Sequence, residues 1–341
     1  MNEGPDHSVW ESFFSLTSRR ELLSFADALS SDSSQQKALK HYIESWNDLH
    51  GAADADYVEF EPAAYVARDL SAIKYGDFPV IFAGSNGWSS KPYLATQEIR
   101  GKLDTLKCHI LRIRKIAGNA RICIILVMEK DHLIDFELFK SKRFSDLEGE
   151  VDLFCSNLQR EGVQVLFSEP LRGISAFMDV REFMQRDSHL PGRIYVNYLS
   201  RALPALGVEW NVAERHVSLV GRDVYGDLNE KYEDGVRGPQ RAWLPYCNNS
   251  ERVVTEGSPT FCNPLGDTHQ SFTNPDGLVD RRVGIFGDSH SSIFYQQRLT
   301  YLFACVYKKA EFFWNPLAIR EMPSAFDYDD IVFEVSCRFV L

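Results

Sequence analysis

The chain has 341 residues, 44% of them apolar and 25% charged, with a net charge of −11. This is the composition of a globular protein with a sizeable core, and its acidic balance argues against nucleic acid or an anionic membrane as the main partner. No apolar run approaches the roughly 20 residues that span a bilayer, and Met1–Arg20 lacks the basic-then-apolar plan of a secretory signal. The sequence as it stands therefore reads as cytoplasmic, or as periplasmic if a leader has been removed. Its seven cysteines are scattered, with no Cys-x-x-Cys pair, which points to buried reduced thiols and to no metal site.

Residues 1–73 read as a helical N-terminal appendage. Trp10, Phe13, Phe14, Leu22, Leu23 and Phe25 recur at rough helical spacing, and Ala38–His50 forms a second helical stretch. His41 and His50 have no acidic or cysteine partners at ligand spacing. Residues 74–341 form the candidate catalytic domain. Pro79–Gly84 is a predicted strand, followed by an Asn86-Gly87 turn. Gln97–Ile116 is a predicted helix, Arg121–Met128 an apolar strand, Phe144–Gly162 a helix and Gln164–Phe167 a strand. This alternation predicts an α/β fold with a doubly wound parallel sheet.

A helix follows Pro191, with Tyr195, Leu199, Ala202 and Leu206 on one face and Pro204 near its end. Residues 208–280 are rich in Gly, Pro, Asn and Asp and read as an irregular insertion lining the site. Arg222, Trp243 and Tyr246 are its candidate substrate-binding residues, since exposed aromatic and basic residues in loops are common binding groups. The last predicted strands are Val283–Phe286, Ala310–Trp314 and Ile331–Val335.

The chemistry centres on Gly287-Asp288-Ser289. A short apolar strand runs into a glycine, which permits a sharp turn, and then into a serine, with a helix expected from about Ser291 or Ser292. A serine at a strand-to-helix elbow is a recurrent nucleophile, and the free N–H groups of such a helix start favour an oxyanion. An ordinary turn with Ser289 as N-cap fits the same stretch. A nucleophilic serine needs a base. After Ser289 the one histidine is its neighbour His290, whose side chain is expected to point elsewhere, so the base lies earlier in the chain. Asp187-Ser188-His189 and Asp267-Thr268-His269 share a spacing that lets an acid orient an imidazole; Asp131-His132 is the third pairing. Spacing alone does not choose between the first two.

The order of short motifs from about Val80 to Leu341 resembles the alginate O-acetyltransferase family, SGNH-hydrolase-like proteins that acetylate exported polysaccharides. The resemblance rests on Gly84-Ser85-Asn86-Gly87-Trp88, Val127-Met128-Glu129-Lys130, Asp187-Ser188-His189-Leu190, Gly226-Asp227-Leu228, Gly287-Asp288-Ser289 and the last strand from Asp330 toward Arg338. Leu190 stands where that family has tryptophan. The resemblance implies an SGNH-like, flavodoxin-like three-layer domain with permuted motif order. It implies Asp187 as orienting acid, His189 as base and Ser289 as nucleophile. The implied activity is O-acetyl transfer to carbohydrate hydroxyls. A carbohydrate esterase using the same triad, and a carbohydrate-binding or assembly protein without turnover, are the alternatives.

The Ser289 N–H and the side chain of Asn315 are candidate oxyanion donors. No bound cofactor is expected. The implied acyl donor is acetyl-CoA or an acyl-carrying partner, such as a membrane acyl-donor protein or a biosynthetic complex.

Overall fold

The computed structural model describes residues 64–66, 72–75, 81–82, 96–127, 142–166, 187, 189–226, 239–261, 268–291, 298–314 and 327–336. The helices expected between residues 1 and 63, the Asn86-Gly87 turn, the Glu129-Lys130 turn, Asp131-His132, Asp227-Leu228, Asp267, Asn315 and Arg338 lie outside the described residues.

A seven-stranded sheet carries the fold. Its members are β4 (Arg121–Val127), β5 (Gln164–Leu166), β8 (Val254–Phe261), β9 (Thr268–Thr273), β10 (Val279–Gly287), β11 (Tyr307–Trp314) and β12 (Asp330–Ser336), in the order β5-β4-β12-β10-β11-β9-β8. Five neighbours, β5 to β11, run parallel, while β9 and β8 add antiparallel at one side. The expected α/β class and the central place of Val283–Phe286 are what the sheet shows, with Ile122–Val127 two strands away. The sheet is mixed, however, where an all-parallel one was expected.

The strand sequences explain the arrangement. Every residue of β12 is buried, as are Ile122–Val127 of β4 and Val283–Gly287 of β10. A strand covered on both faces has no solvent side to mark with polar residues, so it reads as an unbroken apolar run. Burying a side chain such as Phe333 or Ile285 stabilises the fold by about 1.5–3 kcal/mol.

Five described helices accompany the sheet: α1 (Thr96–Ile116), α2 (Lys142–Arg160), α3 (Gly192–Ala205), α4 (Trp210–Glu214) and α5 (Leu299–Val306). α1 packs against α2 and α2 against β5, while α3 packs on β4 and β5, and α5 on β10 and β11. Tyr195, Leu199, Ala202 and Leu206 are all buried, as their common face predicts, and α3 ends one residue past Pro204.

Three expectations are corrected. First, β1 (Ala64–Val66), β2 (Ala72–Tyr75) and β3 (Ile81–Phe82) form a separate antiparallel sheet. The described residues at the C-terminal end of the expected helical appendage are therefore β-structure, and Ile81–Phe82, the described part of the expected Pro79–Gly84 strand, does not belong to the main sheet. These runs are too short to show either a helical or a strand period. Second, the stretch 208–280 is mostly regular over its described residues. It holds the hairpin of β6 (Val217–Val224) and β7 (Gln240–Cys247), and then β8 and β9, which extend the main sheet. β7 mixes and β9 alternates buried and less buried positions, and β6 has no buried residue, so these strands give a weaker signal than an apolar run. Third, Asp288–Ser291 is a turn and not yet the helix expected from about Ser291; residues 292–297, on which the rest of that expected helix falls, lie outside the described residues, and the next described helix is α5.

Candidate active site

The carboxyl ends of β10 and β12 are adjacent in the sheet, Phe286 pairing with Phe333. Ligands collect at such an edge in open parallel sheets. β10 delivers Gly287, Asp288 and Ser289 there, and β12 delivers Glu334 and Ser336. A Cβ added to Gly287 would lie 2.6 Å from Glu334 Oε2 and 2.8 Å from Ser291 Oγ. The glycine thus leaves room for the close approach of those side chains.

The turn is held by its own acid. Asp288 Oδ1 accepts the His290 N–H at 2.9 Å, the Ser336 hydroxyl donates to Asp288 Oδ2, and the Asp288 N–H donates to Glu334 Oε2 at 2.9 Å. Asp288, His290, Ser291, Glu334 and Ser336 are buried, whereas Ser289 at the tip is partly exposed. A partly exposed hydroxyl on a buried, bonded turn is a group that substrate can reach and that the protein can aim.

Asp187 and His189 reach the same place from the segment ahead of α3. Asp187 Oδ1 accepts the backbone N–H of His189 at 2.7 Å and lies 2.6 Å from its Nδ1. Aspartate bonding the backbone two residues on is a favoured local turn, so the Asp-x-His spacing itself brings carboxylate and imidazole together. Burial works to raise the Asp187 pKa, but the bond and charge of His189, the charge of Arg298 and the His189 N–H together hold it well below the usual carboxylate range. The ionised acid accepts a hydrogen bond from Nδ1–H, and in the neutral imidazole that leaves the lone pair on Nε2, the tautomer a general base needs.

Two Asp-Ser-His tripeptides therefore meet. Asp288-Ser289-His290 repeats the local turn of Asp187-Ser188-His189, and the two imidazoles stand edge to face with centroids 5.3 Å apart. His290 is turned away to Tyr195 of α3, whose hydroxyl lies 2.8 Å from its Nδ1. Burial pushes the Tyr195 phenol up, so it stays neutral and serves as a hydrogen-bonding strut.

Sequence reasoning missed two members of this cluster. Arg298, buried at the start of α5, donates to the Ser289 carbonyl and places its charge near Asp187. Nothing in its local sequence marks it. Glu334 is marked, as a lone acid inside the apolar run Ile331–Val335.

The competing pair and the proposed groove also have places. His269 lies on β9, stacked on Phe313 at 4.4 Å with its Nε2 3.2 Å from Glu311, an acid that also binds Arg282 and Tyr328. In the β6–β7 hairpin Trp243 pairs with Gly221, Arg222 with Ala242 and Tyr246 with Ser218. Alternation then puts Trp243 on one face and Arg222 and Tyr246 on the other. The Trp243 face is the one that Pro245 presses onto α3: a Cβ on Gly192 would meet Pro245 Cδ at 2.6 Å and the Trp243 carbonyl at 2.4 Å. Trp243, 49% exposed, therefore stands beside the helix that begins three residues after His189.

Among the described residues no group of three or more His, Cys, Asp or Glu side chains is placed to hold a metal ion, and no helix is long and apolar enough to cross a membrane. No protein-family model matches the chain, and no curated protein matches it. Solved structures similar to it include Bacillus cereus PatB1, at 10% identity and a TM-score of 0.45 over 71% of this chain and 90% of that one. PatB1 with a sulfonyl adduct is similar at 8% identity and 0.47, covering 82% and 97%. The O-acetyltransferase domain of Pseudomonas putida AlgJ is similar at 14% identity and 0.38, covering 82% and 92%. At these values no residue is carried over from one chain to another, and the site is read from its own geometry.

Proposed function

We propose that the protein is a serine O-acetyltransferase acting on carbohydrate hydroxyls. The observation that carries the reading is the buried Asp187–His189 pair set against the turn that presents Ser289. The motif order in the sequence supports the choice of acetyl transfer. His189 Nε2 takes the proton from Ser289 Oγ as that oxygen attacks the acyl carbonyl. The tetrahedral intermediate collapses, the leaving group takes the proton, and the acetyl group remains as an ester on Ser289. A sugar hydroxyl, deprotonated by Nε2, attacks that ester and regenerates the serine.

The Ser289 backbone N–H is one oxyanion donor in this scheme, and Asn315 is proposed as a second. Trp243 is proposed as a stacking surface for an acceptor ring, with Arg222 and Tyr246 on the hairpin's other face as a separate contact. The donor is acetyl-CoA or an acyl-carrying partner. The test is the partition of product from an activated acetyl ester with and without oligosaccharides. Acetylated sugar is the expected product. Acetate alone would make the protein an esterase, and no turnover would make it a binding protein.

A further inference from the structure

Glu334 and Asp288 are two acids packed together where water is excluded. Glu334 is fully buried and Asp288 is 1% exposed. Oε2 of Glu334 accepts the Asp288 N–H at 2.9 Å and occupies the space left by the absent side chain of Gly287. The Asp288 carboxylate accepts the His290 N–H and the Ser336 hydroxyl, one on each oxygen. Those donors favour the charged form of Asp288. Two adjoining carboxylates in a site of low polarity do not both ionise, so the second is the one that keeps its proton.

We propose that Glu334 is a neutral carboxylic acid packed beside an ionised Asp288, and that this buried pair is the positioning device that sets the Gly287–Ser291 turn and the attitude of Ser289. Glu334 is a positioning residue, since it acts through the turn and not on substrate. The groups that face it are Asp288 and Ser291 from the turn and Tyr195 from α3; Arg298, Asp187, His189 and His290 surround Tyr195 and the Ser289 backbone. Burial first, and the charge of Asp288 second, push the Glu334 carboxyl well above its ordinary range. The stability that its neutral form contributes is fully present below the unfolded carboxyl pKa and is lost as pH rises through the folded value.

The protonation arm of the test does not depend on the acyl-transfer reading, and the kinetic arm does. Infrared spectra of the full chain in heavy water, titrated from acid to alkaline pH, should show a carboxylic-acid carbonyl band that persists after exposed acids have ionised. Glu334→Gln should remove that band. Absence of the band in wild type, or its survival in Glu334→Gln, overturns the proposal. Glu334→Gln, which keeps a neutral group of the same shape, should lower kcat far less than Glu334→Leu does and should lose the fall in stability that wild type shows as pH rises above the unfolded carboxyl pKa. Glu334→Leu should lower kcat on the order of 100-fold with KM unchanged, as expected of a misaimed nucleophile. Equal kcat in Glu334→Leu and wild type would overturn the positioning role. A wild type that shows the band but no turnover would instead refute the acyl-transfer reading and leave the buried neutral acid standing.

Discussion

The imidazole of His189 meets that of His290 edge to face, with 5.3 Å between ring centroids at an interplanar angle of 70°. Since His290 directly follows Ser289, this contact ties an imidazole already bonded to Asp187 to the turn that carries Ser289. The two halves of the site come from segments 100 residues apart. One lies ahead of α3 and the other after β10, and they converge because α3 and α5 pack against each other over the sheet.

Ser289→Ala and His189→Ala should each lower turnover of an activated acetyl ester by roughly 1,000-fold or more, and the double variant should lose little beyond either single one, because the two act as a unit. Asp187→Asn should be less severe by roughly tenfold or more. Steady-state kinetics check this, with urea midpoints to show that the variants fold. Additive losses would mean that the residues act separately.

Asp187 also ties stability to pH. Its folded pKa is depressed, so its contribution is present above the unfolded carboxyl pKa and is lost as pH falls toward the folded value. Urea midpoints measured down a pH series should fall less steeply in Asp187→Asn than in wild type. Parallel slopes would mean that the carboxylate has no special stabilisation in the native state.

Arg298→Met removes a buried charge that serves both Asp187 and the Ser289 carbonyl. It should cost about 3 kcal/mol of stability, as breaking a buried ionic partnership does, and should lower kcat more than it raises KM. Chemical denaturation and kinetics together decide. Full activity in a stable Arg298→Met protein would remove Arg298 from the site.

Gly287→Ala forces a methyl group into Glu334 Oε2 and Ser291 Oγ. The expected cost is about 1–3 kcal/mol, as for other overpacked sites. Shortening the acid as well, in Gly287→Ala/Glu334→Ala, should recover part of that loss, which denaturation midpoints measure. Additive destabilisation would show that the two side chains do not compete for the same space.

Trp243→Ala should raise KM for an oligosaccharide acceptor and leave hydrolysis of the activated ester unchanged. Arg222→Ala lies on the opposite hairpin face and should give a different acceptor profile. Acceptor-dependent kinetics would separate the two faces, and an unchanged KM in Trp243→Ala would remove the ring from the acceptor site.

The central strands were legible because burial on both faces leaves an uninterrupted apolar run, as in Ile122–Val127 and Ile331–Val335. Their order and the partners of β9 were not, since antiparallel additions such as Thr268–Thr273 carry polar residues and depend on pairing that no local pattern encodes. The Asp187–His189 contact was legible for a local reason, the aspartate turn that an Asp-x-His spacing favours. Asp288-Ser289-His290 has the same pattern, but its histidine turns to Tyr195, a contact set by the packing of α3. Arg298 was invisible because its partners are a backbone carbonyl and a distant acid. Glu334 could have been flagged, as a buried acid in a central strand needs a partner or a proton.

Intact and peptide mass spectrometry after incubation with an activated acetyl ester tests the central claim most directly. The expected result is a single acetyl group on Ser289, absent in Ser289→Ala, formed far more slowly in His189→Ala, and discharged faster by a saccharide than by water. Turnover that survives in Ser289→Ala, or an acetyl group mapped to another residue on the reaction path, would contradict it.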